Sequence, residues 1–124
     1  MAKRVLIVDD DVGFAQILQL NLEAGNYIVR VENDSSRALT VAREFRPDIV
    51  LLDLVMPYQD GGGFAAHLQN DDALGDVPIV FLTAMLSQSA SPNIEREIAG
   101  RAVVAKPVHY QDLVDCIERH TSSS

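Results

Sequence analysis

Four short stretches of this 124-residue chain place reactive side chains directly after apolar runs. Asp9, Asp10 and Asp11 follow "RVLIV", and Asp53 closes "PDIVLLD". Thr83 follows "PIVFL", and Lys106, with Pro107 behind it, follows "AVVA". An ionised Asp in an apolar run requires compensation. Aspartates from one strand end facing Asp53 on a neighbour would repel it. At ~4 Å and an effective dielectric of ~20, each such pair costs about 4 kcal/mol. A divalent cation relieves that cost. Hard oxygen ligands suit Mg²⁺, which takes one or two carboxylates together with a phosphate oxygen. A carboxylate held against such a metal can attack a phosphoryl group and form an acyl phosphate. A Thr hydroxyl and a Lys ammonium suit the remaining phosphoryl oxygens. The residue types together point to a phosphoryl-binding site assembled from distant parts of the chain.

Such a site needs elements that bring those ends together. Strands are predicted at Arg4–Val8, Tyr27–Glu32, Asp48–Leu52, Pro78–Leu82 and Ala102–Ala105. A helix follows the first strand, with Phe14, Leu18 and Leu22 at helical spacing and Gly25 as its stop. Asn33–Phe45 reads as a second helix, with cap residues first and Ala38, Val41, Ala42 and Phe45 on one face. Gly61–Asn70 is a third, weakened by its glycines. Ser91 and Pro92 read as N-cap and first residue of a fourth helix ending by Gly100. That leaves Ala84–Ala90 as a long loop. Tyr110, Leu113, Val114 and Ile117 define an amphipathic closing helix.

Five β-α repeats with right-handed crossovers predict an α/β fold. The form expected is a doubly wound, flavodoxin-like, five-stranded parallel sheet with helices on both faces. Parallel strands covered on both faces account for runs that are continuously apolar. Sites in such sheets lie beyond the carboxyl ends of the strands, at the topological switch point. The acids, the hydroxyl and the ammonium all stand at those ends. The second strand offers only Asn33 and Asp34 there.

Composition narrows the function. Hydrophobic residues are 48% and charged residues 23%, a soluble globular balance. A formal charge of −8 argues against direct nucleic-acid or anionic-membrane binding by this domain. No run is long enough to span a bilayer, and Val5–Val8 is too short for an export signal. The single cysteine, Cys116, permits no internal disulfide, and a cytoplasmic setting is the natural expectation. Cys116 reads as a small, partly buried residue with no basic partner. His67, His109 and His120 lack metal-ligand spacing. Asp11 reads as the N-cap of the first helix. The expected domain is residues 1–120, with 121–124 as a disordered tail or the start of a linker.

The motifs "VLIVDDD", "PDIVLLDLVMPYQDGGGF", "VPIVFLTA" and "VVAKP" resemble, in order and spacing, those of response regulator receiver domains of two-component systems. The resemblance covers essentially the whole chain. It implies that Asp53 is the phosphoacceptor. It implies Mg²⁺ (or Mn²⁺) held by Asp10, Asp53 and the backbone carbonyl of Val55, with Asp9 acting mainly through water. Thr83 becomes the switch hydroxyl and Lys106 the phosphate-pairing lysine, with Lys106–Pro107 a candidate cis bond. The phosphodonor is implied to be a histidine kinase or a phosphotransfer protein. The output surface is implied to be the fourth helix, fifth strand and last helix, read by a downstream protein or a linked output domain. Homodimerisation is left open.

Three departures from the family pattern stand out. Val103 occupies a position usually aromatic, so the Thr–aromatic switch is missing in its usual form, and Tyr110 in the last helix is no simple substitute. The segment after Thr83, beginning at Ala84 and Met85, is long and Ser-rich. The run Gly61–Gly63 weakens the third helix. Val55 and Met85 stand where the family tunes dephosphorylation, and both are apolar, which implies a long-lived phosphorylated state.

Two rival readings remain on the residues alone. A haloacid-dehalogenase-type phosphatase would use Asp9 as nucleophile and Asp11 as acid/base, but leaves Asp53 unexplained. A receiver that binds proteins without phosphate leaves the whole set unexplained. A flavin-binding reading lacks a phosphate-cradling turn after the first strand.

Overall fold

The apolar runs become the buried strands of a single sheet. The computed structural model describes residues 2–53, 68, 70–72, 74–83, 96–98, 101–105 and 109–121. Its elements are β1 (Arg4–Val8), α1 (Val12–Ala24), β2 (Ile28–Glu32), a 3₁₀ turn (Ser35–Arg37), α2 (Ala38–Phe45), β3 (Ile49–Asp53), β4 (Ile79–Thr83), β5 (Arg96–Ile98), β6 (Arg101–Ala105) and α3 (Tyr110–Thr121). The sheet order is β2-β1-β3-β4-β6-β5. All pairings from β2 through β6 are parallel. The order reverses its direction of growth between β1 and β3, which makes their carboxyl ends the switch point.

Strand pleating feeds alternate residues to two cores. Leu6, Val8, Val50, Leu52 and Phe81 meet Ala38, Val41, Ala42 and Phe45 of α2. Val5, Ile7, Ile49, Leu51, Val80 and Leu82 meet Ala15, Leu18 and Leu22 of α1 and Leu113, Cys116 and Ile117 of α3. The sheet therefore carries helices on both faces, as its continuous apolar strands require. All five residues of β3 are buried, including the terminal Asp53.

The structure corrects one element. Where a helix was expected from Pro92 to Gly100, Arg96–Ile98 forms the short strand β5, antiparallel to β6. Ile98 pairs with Arg101 across two intervening residues, the spacing of a tight hairpin. Pairing with the outer edge of β6 outweighs the helix-start signal of Ser91 and Pro92. A doubly wound sheet with one antiparallel edge strand is a common variant. The expected third helix lies outside the described residues except at Leu68, which is helical and buried on the α2 side, and at Asn70. The segment Ala84–Ala90 also lies outside them.

Local chemistry sets the helix ends. The Asp11 carboxylate accepts the Phe14 N–H at 3.0 Å and caps α1. Gly25 caps α1, and a Cβ there would collide with the Tyr110 hydroxyl; the left-handed residue that follows is Asn26, at φ 73°. The cap residues before α2 form the 3₁₀ turn. There the Asp34 carboxylate accepts both the Ser36 hydroxyl and its N–H, which hold it below the usual carboxylate range.

The last helix is tied to the amino-terminal edge of the sheet. The Tyr27 hydroxyl donates to Glu118 at 2.6 Å, and Lys3 Nζ donates to Glu118 at 2.9 Å and to the Thr121 hydroxyl at 2.7 Å. Thr121 therefore belongs to the last turn of α3, one residue past the expected boundary. Cys116 also differs from expectation. It is fully buried, and His120 Nδ1 lies 3.6 Å from its sulfur and 2.8 Å from its carbonyl oxygen. The i, i+4 spacing on one helix brings the two side chains together.

Burial first, and then Glu118, push the Tyr27 phenol above its ordinary pKa. The Tyr27 hydrogen bond, then that of Lys3, hold Glu118 below the usual carboxylate value. A depressed carboxyl stabilises the fold above its unfolded pKa, and that contribution fades as pH falls through the folded pKa. Glu118→Gln should therefore melt below wild type at neutral pH. The gap should narrow as pH drops below about 4.5, the ordinary Glu value. Melting curves from pH 7 to pH 3 test this, and a pH-independent gap contradicts it.

Candidate functional site

Register decides which residues meet at the carboxyl edge. Val8 of β1 pairs with Leu52 of β3, so the next residues, Asp9 and Asp53, lie level. Asp53 pairs with Leu82, and Thr83 with Ala105. Asp9, Asp53 and Thr83 thus stand on adjacent strand ends, and Lys106 follows Ala105 directly in sequence. Val103 pairs with Phe81, two residues below that edge.

Three carboxylates converge there. Oxygens of Asp9, Asp10 and Asp53 all lie within 4.8 Å of one another. Asp9 is fully buried, Asp53 is only 7% exposed, and Asp10 is open to solvent. Oxygens sharing one octahedral Mg²⁺ sit about 3–4 Å apart, given bonds of about 2.0–2.1 Å. The donor set therefore fits a hard divalent cation with little adjustment, and the exposed side at Asp10 gives it an entry.

Asp9 is anchored from several directions. Its N–H donates to the Glu32 carbonyl at 3.1 Å. Its Oδ1 accepts the Asp11 N–H at 2.9 Å. Its own carbonyl accepts Asn33 Nδ2 at 2.8 Å. The sequence places Asn33 at the end of the second strand and among the cap residues before the second helix, not beside Asp9. Its position beside β1 in the sheet order is the signal that could have found its role.

Of the positions singled out in the sequence, Asp9, Asp10 and Asp53 come together. Thr83 and Val103 are placed by their strands. Val55, Ala84, Met85 and Lys106 lie outside the described residues. Asp11 caps α1, a role that leaves it poorly suited to acid/base work beside Asp9. Tyr110 lies against Gly25 at the far end of α1, so it does not replace the aromatic missing at Val103. A cavity of about 790 Å³, lined by Lys3, Arg4, Arg46 and His120 among others, opens at the amino-terminal edge, away from the carboxylates.

Comparison with known proteins agrees with this geometry. The response regulator receiver domain family matches residues 5–118. This chain belongs to that family. It is a signalling receiver domain of two-component systems. The DNA-binding response regulator MtrA of Mycolicibacterium smegmatis is 38% identical over 114 residues, covering 92% of this chain and 48% of that protein. The DNA-binding dual master transcriptional regulator RpaA of a Synechocystis species is 34% identical over 82 residues, covering 66% of this chain and 34% of its own. The receiver thus spans about half or less of the length of these relatives. Among solved structures, a putative response regulator from Chloroflexus aurantiacus superposes with a TM-score of 0.84 at 29% identity, covering 99% of this chain and 100% of that one. The chemotaxis response regulator CheY4 of Vibrio cholerae shares the fold, with a TM-score of 0.81 at 24% identity over 97% of this chain and 99% of its own. Among the described residues, no helix is long and apolar enough to cross a membrane.

The clustered charges carry a measurable cost in the absence of a cation. Asp10→Asn should raise the stability of the cation-free receiver by up to about 1 kcal/mol, the effect being limited because Asp10 is exposed and screened. It should also remove most of the stabilisation that Mg²⁺ confers on wild type. Urea denaturation with and without Mg²⁺ measures both, and an unchanged response to Mg²⁺ contradicts the cation assignment.

Proposed function

We propose that Asp53 accepts a phosphoryl group from a histidine kinase or a phosphotransfer protein. The observation that carries this reading is the Asp53 carboxylate, almost buried at the end of the central strand β3 and gathered with Asp9 and Asp10. Asp10, Asp53 and the backbone carbonyl of Val55 are the proposed direct ligands of Mg²⁺ or Mn²⁺, with Asp9 completing the site mainly through water. Such an ion, when bound, withdraws charge from the phosphoryl oxygens.

A carboxylate oxygen of Asp53 attacks phosphorus. The phosphorus–nitrogen bond to the donor histidine breaks, and its electron pair leaves with the imidazole. The product is an acyl phosphate. Thr83, which closes β4 opposite Ala105, and Lys106, next in sequence after Ala105, are the proposed partners of its oxygens. Asp9 is fully buried and offers no open approach to a phosphoryl donor, which favours Asp53 over the phosphatase-type nucleophile.

Phosphorylation is proposed to alter the surface around β6 and α3, and so its affinity for a downstream protein or a linked output domain. The relatives named DNA-binding regulators support the linked output. The receiver itself is acidic and is not proposed to touch nucleic acid. We propose that the domain runs through the end of α3 at Thr121 and that its setting is the cytoplasm.

Incubation with acetyl phosphate and Mg²⁺ should add one phosphoryl group by intact-mass spectrometry. Asp53→Ala or a chelator should abolish the addition. Persistence of the modification in Asp53→Ala contradicts the assignment.

Val55 and Met85 bear on how long the acyl phosphate survives. Apolar side chains at these positions offer no group to orient an attacking water, so the modified protein should decay slowly. Replacing Met85 with a polar residue should shorten its life. A half-life of seconds in purified wild type with Mg²⁺ contradicts this.

A further inference from the structure

The carbonyl that Asn33 holds belongs to the peptide bond joining Asp9 to Asp10. That bond is planar, so fixing its oxygen also fixes the N–H and Cα of Asp10. Asn33 Nδ2 lies 2.8 Å from this oxygen. The acceptor is a carbonyl, so the facing group of the Asn33 amide is its NH₂. Asn33 directly follows β2, and β2 is paired with β1 along its whole length, Val8 lying against Glu32. The sheet itself therefore delivers Asn33 to this peptide.

The rest of the Asp9–Asp11 segment is fixed on its other sides. Glu32 holds the Asp9 N–H, and the Asp9 carboxylate holds the Asp11 N–H. Asp11 in turn caps α1. The Asp9–Asp10 peptide plane is the remaining hinge, and Asn33 is the side chain that closes it. Asp10 needs this most. Asp9 and Asp53 are held by burial, whereas Asp10 is exposed and lies beside two carboxylates of like charge.

We propose that Asn33 is a positioning residue for the divalent-cation site, acting by orienting the peptide that carries Asp10 toward Asp53. The inference rests on the proposed cation-dependent phosphoacceptor reading. Outer partners of metal ligands commonly contribute 10- to 100-fold in affinity. Loss of one hydrogen bond to an otherwise anchored segment belongs at the lower end of that range. An Asp at position 33 would be worse than Ala. Its carboxylate cannot donate to the Asp9 carbonyl, and it adds a fourth negative charge nearby. A Gln retains the donor one methylene further out.

The test has two arms. In the first, Mn²⁺ binding is followed by electron paramagnetic resonance of the free ion. Asn33→Ala should weaken binding about tenfold, Asn33→Asp further, and Asn33→Gln should recover part of the loss. In the second, amide NMR spectra of the cation-free proteins are compared. Asn33→Ala should shift the Asp10 and Asp11 resonances while those of Val5 and Ile7 in the strand core stay in place. Wild-type Mn²⁺ affinity in Asn33→Ala overturns the proposal, as do unmoved Asp10 and Asp11 amides. Shifts spread equally to Val5 and Ile7 overturn it too, because they mark general loosening. Failure of wild type itself to bind Mn²⁺ would instead sink the cation reading, and the cation-free amide arm would still decide whether Asn33 orients Asp10.

Discussion

Mutual repulsion among Asp9, Asp10 and Asp53 is the constraint around which this domain is organised. Three carboxylates with oxygens within 4.8 Å of one another do not gather unless a scaffold holds them. The scaffold is the parallel register of β1 and β3, buried on both faces, which sets Asp9 level with Asp53. Hydrophobic burial along those strands works against the charge cost at their ends. The site thus sets three carboxylates side by side on a hydrophobic frame, an arrangement suited to a ligand that neutralises them.

That arrangement divides labour among the aspartates. Asp9 is fully buried and fixed by backbone hydrogen bonds, so it supplies field and anchoring. Asp53 is nearly buried but sits at the strand terminus, where it can be reached. Asp10 is exposed and depends on its peptide for direction. The acidic edge lies opposite the network of Lys3, Tyr27, Glu118 and Thr121, which ties the last helix to the amino-terminal edge. The last helix is therefore anchored away from the site.

Much of this was legible because the relevant forces are local or repetitive. The run Arg4–Val8 was read with its final boundaries, since a strand covered on both faces must be continuously apolar. The faces of α1 and α2 followed from spacing alone. Asp53 was conspicuous because a carboxylate in an apolar run needs a reason. What escaped depended on contacts between distant segments. Arg96–Ile98 joined the sheet because β6 offered an open edge, which overrode the helix-start signal of Ser91 and Pro92. Asn33 is one polar residue at a strand end until β2 is laid beside β1. The Cys116–His120 contact, by contrast, was readable from i, i+4 spacing and was missed.

The central claim is that the three carboxylates form one divalent-cation site beside a phosphoacceptor. Anomalous diffraction from crystals soaked in Mn²⁺ tests it most directly. The account predicts a single strong peak among Asp9, Asp10 and Asp53. An empty carboxyl edge, or a peak elsewhere on the domain, would contradict it.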